Sequence, residues 1–472
     1  MAHLLKAGLP AAVALLALPA TASAHGVGER ADLPIPLWLF AWAAVFVLVA
    51  SFVAFAVLWP KPSLANRSSR LLGRAPLALE VLAGAFGVFG FALIVYVGLE
   101  GSQTATANLA PTAIFVLVWV GIPFASVLFG DLFAVISPWR AIGRAVGWAA
   151  ARVGGGLPAP IAYPDRLGRW PAALMILCFA WIELAWSGRE EPNSLAIVAL
   201  IYTAVMLIGM SCFGADKWCR NADGFGVAFS LFALLAPLDW KERRCRLRAP
   251  LVGALQMPQV AGSVAVVCVL IGSTSFDGFS QGTVWNGASG VAQQLSDLLV
   301  ALGLSAGAAV EIAHTLGLLL IVAVVAALYR LAVVAMSRTG GGRPPTAELA
   351  RSFAHTLIPI ALAYVVAHYL SLFVFQGQAT LFLISDPLGD GSDIFGTSQS
   401  AVDYSVLSAN AIWYAQVAAL LVGHVAALAL AHDKAMATWA SQRVAIRSQY
   451  WMLLVMVAFT CIGLWFLSAG AA

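Results

Sequence analysis

The sequence predicts an all-α protein, a polytopic bundle of about ten transmembrane helices that follows a cleaved signal peptide. Three observations carry this. Of 472 residues, 61% are hydrophobic and only 10% are charged, whereas soluble domains carry roughly 25% charged residues. Apolar stretches close to the ~20 residues that span a bilayer recur along the whole chain. The basic residues are sorted to alternate connections, as the positive-inside rule demands. The +4 formal charge comes without any Lys/Arg cluster interleaved with aromatics, which excludes nucleic acid as a partner and leaves membrane lipid.

Residues 1–24 read as a secretory signal. Lys6 is followed by an apolar run from Leu9 to Leu18, by the helix breaker Pro19, and by Ala22-Ser23-Ala24 as a small-residue cleavage site. Cleavage there makes His25 the first residue of a membrane domain covering 25–472. Ten spans follow, near 37–59, 78–99, 112–136, 171–187, 194–213, 259–273, 309–335, 352–375, 405–431 and 450–469. Of 26 Lys and Arg, Lys6 belongs to the signal and Arg30 and Arg189 fall outside; the other 23 fall at cytoplasmic loops or helix ends. The outer loops 274–308 and 376–404 hold no Lys or Arg and carry Asp277, Asp297, Asp386, Asp390, Asp393 and Asp403. This predicts a multi-pass protein of the cytoplasmic (inner) membrane with both mature termini extracytoplasmic.

Three connections have interfacial character. Residues 137–150 put Trp139, Ile142 and Val146 on one helical face with Arg140 and Arg144 off it, and 291–304 do the same through Val291, Leu295, Leu298 and Leu302. The apolar run 225–238 is too short to span and reads as a re-entrant or surface segment. Residues 337–345 read as a flexible linker. The six cysteines lie in spans or at cytoplasmic ends with no C-x-x-C spacing, so no disulfide or zinc site is expected from them. The tetrapeptide Ala-His-Thr-Leu opens both span seven (313–316) and span eight (354–357), an echo of the inverted repeats common in transporters.

Ionisable residues inside spans are the functional candidates, since an isolated charge there costs at least about 2.5 kcal/mol. They form two layers. The outer layer holds Glu183, Glu311, His314 and His368. Glu311 and His314 share one helix face at i and i+3, the spacing by which helical sites offer an oxygen and a nitrogen to one metal. A freed His25 would add an α-amine beside its imidazole on the same side. The set His25, Glu311, His314 and His368, with Glu183 as a further ligand, is nitrogen-rich and suits copper or zinc. The inner layer is Asp131, His355 and His424, with Arg330 at a depth to neutralise Asp131; it reads either as part of an ion path or as helix-interface hydrogen bonding. The segments 274–282 and 385–396 form a possible substrate mouth. No Ser-His-Asp order, nucleophile elbow or H-E-x-x-H is present.

The stretches AHGVGERADLPIPLWLF (24–40), SPWRAIGRAVGW (137–148), TSFDGFSQG (274–282), SDPLGDGSDIFGT (385–397) and RSQYWMLLVMVAFT (447–460) resemble a family of bacterial multi-pass proteins named fenitrothion hydrolase, over nearly the full mature length. The resemblance implies hydrolysis of an organophosphorus triester at the membrane, with a partner membrane or secreted protein, and brings no catalytic residues with it. A bound divalent metal would make hydroxide available and polarise the phosphoryl oxygen. The residues by themselves favour movement of a transition-metal ion or a small solute; with the resemblance added, hydrolase and transporter stand as equal alternatives. The substrate is therefore expected to be a small apolar molecule or a metal ion.

Overall fold

The structure is a computed structural model that describes residues 37–154 and 156–470, with side chains from Trp38 to Trp465. Among the described residues, nine helices are long and apolar enough to cross a membrane. The chain is a multi-pass, all-helical membrane protein. Its first helix, α1 (Leu37–Leu58), leads through a basic connection to α2 (Leu77–Glu100) and then to α3 (Leu109–Phe129), which is opened by Asn108 Oδ1 accepting the Ala110 N–H at 2.8 Å and has π-helical geometry over Thr112–Gly121. The third span ends earlier than its apolar composition predicts, because Gly130 takes φ +90°, a left-handed backbone that turns the chain away.

The amphipathic segment forms α4 (Pro138–Val153), with Ser137 as its N-cap and Trp139 buried. Helix α5 (Trp170–Leu184) corresponds to the predicted fourth span but has only 15 residues. At about 1.5 Å per residue that is roughly 22 Å, short of the ~30 Å hydrocarbon core. Among the described residues, nine helices rather than ten are therefore candidates for full spans. Helix α6 (Pro192–Phe213) crosses back, and the short apolar run folds as α7 (Gly224–Ala233), almost wholly buried against α3 and α5.

A small antiparallel sheet joins two basic connections: β1 (Arg70–Arg74) pairs with β3 (Arg244–Leu247), which pairs with β2 (Leu238–Lys241). Helix α8 (Ser263–Ser280) follows and lies in the middle of the bundle, packed by α5, α10 (Ala306–Thr339), α11 (Thr346–Gln376) and α13 (Gln442–Gly470). The outer amphipathic helix is α9 (Val291–Ala301), and α12 (Ala409–Thr438) packs along α11. That last contact is close because Gly423 has no side chain: a Cβ there would stand 2.4 Å from the Ala363 Cβ.

The sixth span differs from its expected position in a way that matters for function. It was expected to stop at 273 and instead runs to Ser280, so Asp277 belongs to a buried helix and not to an outer loop. The polar run is tolerated because Thr274 and Ser275 return their hydroxyls to the carbonyls of Leu270 and Ile271 at 3.0 and 2.7 Å.

The two ends of the bundle differ in charge. At the base-rich end, β1 and β3 carry Arg70, Arg74, Arg244 and Arg246, and Glu80 pairs with Arg144 and Arg243. At the acid-rich end, the loop 385–398 is closed by its own aspartates: Asp386 accepts the N–H groups of Asp390 and Gly391, each at 3.0 Å, and Asp393 accepts the Ser385 hydroxyl at 2.7 Å and the Ser398 N–H at 3.0 Å.

Candidate functional site: a buried carboxylate, histidine and tyrosine network

Four side chains from three helices meet near the acid-rich end. His368 Nε2 on α11 lies 2.8 Å from Asp277 Oδ2 on α8. The hydroxyl of Tyr369, the next residue along α11, lies 2.8 Å from the same oxygen and 3.3 Å from Glu183 Oε1 on α5. Burial of Asp277 and Tyr369 makes the contacts mutually necessary, since an unpaired charge in this environment costs at least about 2.5 kcal/mol.

The hydrogens in this network can be counted. Asp277 Oδ2 accepts from the imidazole N–H, and a neutral phenol has one further hydrogen to give. It is given either to Asp277 or to Glu183. When it goes to Asp277, the remaining contact is completed by a proton on Glu183 donated to the phenolic oxygen. When the hydroxyl turns to Glu183, Asp277 keeps His368 and the side chain of Gln281 as its partners. The two arrangements differ by a hydroxyl rotation and one proton.

Of the sequence candidates, Glu183 and His368 belong to this network. Glu311 and His314 do not. They line a separate open cleft of about 430 Å³ with Ala185, Ser187, Arg189 and Val310. There Glu311 accepts the Ser187 N–H at 2.9 Å, while His314 Nδ1 lies 3.0 Å from the Val310 carbonyl of its own helix and its ring meets Phe276 and Trp285 edge-on. His25 lies outside the described residues, as does the whole of the signal segment 1–24. Among the described residues, no three His, Cys, Asp or Glu side chains are grouped to hold a metal ion. The i,i+3 pair thus exists as a shared face, and the other described candidates turn away from it to their own partners.

The inner candidates also separate. Asp131 caps the turn beyond Gly130 by accepting the Ala134 N–H at 3.1 Å, and the cation near it is Arg140 on α4, not Arg330, which is exposed on α10. His355 and His424 bond carbonyls of their own helical segments, Ser352 at 2.9 Å and Leu420 at 2.7 Å, and the Nε2 of each has no partner among the described residues. The repeated Ala-His-Thr-Leu has two conformations, α-helix at 313–316 and a 3₁₀ turn at 354–357. His432, not singled out from the sequence, joins α12 to α13 and to the end of α1, with Nδ1 3.1 Å from Gln449 Oε1 and Nε2 2.9 Å from the Trp59 carbonyl.

Sequence reasoning missed Asp277 and Tyr369. Asp277 sits in a polar run that reads as a loop, and a tyrosine in an apolar helix gives no signal of its own. The adjacent pair His368-Tyr369 facing one helix was the available clue. Comparison with family models, with characterised proteins and with solved structures finds no match to this chain.

Proposed function

We propose that this membrane protein moves protons, alone or together with a small solute, and that Glu183, Tyr369, Asp277 and His368 form the proton-handling site. The observation that carries this is the unbroken hydrogen-bonded run of four titratable side chains within the bundle, whose two arrangements pass a proton by rotation of one hydroxyl. Ionisable groups linked in this way are what membrane pumps and transporters use as relays. Arg189 is the cation near Glu183. We read the base-rich end as cytoplasmic, which puts the membrane in question as the inner one and both mature termini outside.

The test is proton movement into vesicles containing the purified protein and a pH-sensitive dye. Wild type is expected to dissipate an imposed pH gradient, and Asp277→Asn and His368→Ala to slow this by about tenfold or more, a floor set below the roughly hundredfold that a positioned proton-transfer group typically contributes. Wild-type vesicles as tight as protein-free ones would end the proposal.

A hydrolase reading is favoured by one specific contact. His368 commits Nε2 to Asp277 while its Nδ1 takes no hydrogen-bond partner among the described residues, the arrangement of a carboxylate-oriented general base. The organophosphorus triester would be the substrate, as the resemblance implies. A copper or zinc ion held by Glu311 and His314, with His25 as third ligand, would supply Lewis-acid chemistry. Triester turnover by the same vesicles without proton movement would favour this reading, and metal content lowered by His314→Ala would support the metal.

A further inference from the structure

A second buried polar cluster lies on the base-rich side of the network. Its centre is Asp223, the N-cap of α7, which is fully buried. Asp223 Oδ1 accepts the Tyr202 hydroxyl at 2.8 Å and the Gly226 N–H at 3.0 Å, and Tyr202 in turn accepts the Gly224 N–H at 3.0 Å. Tyr202 is the midpoint of the 22-residue helix α6, so this helix start is brought to the middle of a span. Non-helical backbone at that depth is tolerated only inside protein or at a water-filled cavity.

Among the described residues, two buried atoms here have no hydrogen-bond partner, Asp223 Oδ2 and Arg140 Nε. Arg140 lies near Asp223 and Asp131 without an ion pair to either, and Cys219 is the further titratable group that faces Asp223. The space at Oδ2 depends on Gly226, where a Cβ would stand 2.7 Å from that oxygen.

Between this cluster and the Tyr369 network stands a wall of aromatic rings. Trp119 presents its indole N–H toward the Tyr369 hydroxyl. Its ring contacts Phe179 at 4.8 Å and Phe225 at 6.3 Å between centroids; Phe225 contacts Tyr202 at 5.5 Å. Such a wall excludes water from the direct line between the two polar clusters.

We propose that Asp223 is a second proton-binding station, set by Tyr202, Arg140 and Asp131, and in series with the Tyr369 network across the aromatic wall. It rests on the proton-moving function proposed above. The step is a simple one: Asp223 Oδ2 takes a proton to become a neutral carboxylic acid, and releasing it restores the carboxylate. With one station on each side of a dry wall, the path is two half-channels, and a proton crosses only when the rings rearrange.

Two measurements separate this inference from the function on which it rests. Infrared difference spectra of the purified protein across a pH titration report carboxylic-acid C=O stretches; one such band is expected to vanish in Asp223→Asn and to persist in Asp277→Asn. Asparagine keeps the helix cap, and Gly226→Ala, which retains the carboxyl but forces it to shift from a Cβ 2.7 Å from Oδ2, should shift the same band. In vesicles, Asp223→Asn should slow proton movement by about tenfold or more. If wild type moves protons and Asp223→Asn moves them equally fast, the second station is wrong and the first stands. If wild type moves none, the proposed function and the series path fail together. A titration in which no band depends on Asp223 overturns the proton site itself, whatever the vesicles show.

Discussion

The Tyr369 hydroxyl has one hydrogen and two carboxyl groups within reach, and among the described residues it links Glu183 to the Asp277–His368 pair. Tyr369→Phe keeps the ring in its packing and removes the link. It should therefore slow proton movement as strongly as Asp277→Asn while leaving thermal stability within about 1–3 kcal/mol of wild type, the usual cost of stranding a buried hydrogen-bond partner. Flux equal to wild type in a stable Tyr369→Phe protein would show that the phenol carries no proton. Glu183 and His368 were legible in the sequence because a charge amid apolar residues is conspicuous. Asp277 was hidden by its serine, threonine and glycine neighbours, which look like a loop and are in fact satisfied by their own helix. Asp223 and Tyr202 were hidden for a different reason: they meet each other from 21 residues apart, on separate helical elements, and spacing along the sequence does not report that contact.

At the scale of elements, the amphipathic helices α4 and α9 were readable from periodicity, and most of the spans from the length of their apolar runs. The three-stranded sheet was not, because its strands are short and its two connections meet only through tertiary folding. The acid-rich loop offers a direct test of a local device. Asp393 is held below the ordinary aspartate range, first by the Ser385 hydroxyl and then by the Ser398 N–H. A carboxyl lowered in this way stabilises its fold fully above its unfolded value, about 3.9, and loses that contribution as pH falls through the lower folded value. Hydrogen exchange at Ser398 should accordingly be as slow at about pH 5 as at neutrality, after correction for intrinsic rates, and should quicken below the ordinary aspartate range. Loss of protection already at about pH 5 would show that the loop is held by something else.

For the whole molecule, the segregation of positive charge is the feature that both sequence and structure expose. Helix direction alternates so that the Arg-rich sheet and α4 share one end, while the 385–398 loop lies at the other. Single cysteines introduced near 105, 290 and 390 in a chain stripped of its native thiols should react with a membrane-impermeant reagent in intact cells, and those near 155 and 340 only after permeabilisation. Reaction at 155 in intact cells would reverse the orientation assigned here. Overall class was legible because a bilayer imposes length and polarity on every crossing. The helix count was less so, since α5 has only 15 residues and apolar composition alone does not distinguish a short helix from a full span; that α7 is too short to span was legible.

Helix α8 has a consequence for how the chain is made. Within its most apolar window 78% of residues are buried, against 28% for α10, so it is shielded by protein more than by lipid. During synthesis that shield does not yet exist. His368, the partner of Asp277, emerges 91 residues later, and until then an aspartate that costs up to about 3.5 kcal/mol at a helix centre accompanies a string of hydroxyls in the nascent segment. The translocation machinery should therefore hold α8 loosely, at the rim of the lipid, and release it into place only when α11 arrives. A topology reporter fused after residue 304 should show mixed sidedness, and one fused after 404 a single side. Uniform sidedness at 304 would mean that α8 commits to the bilayer unaided.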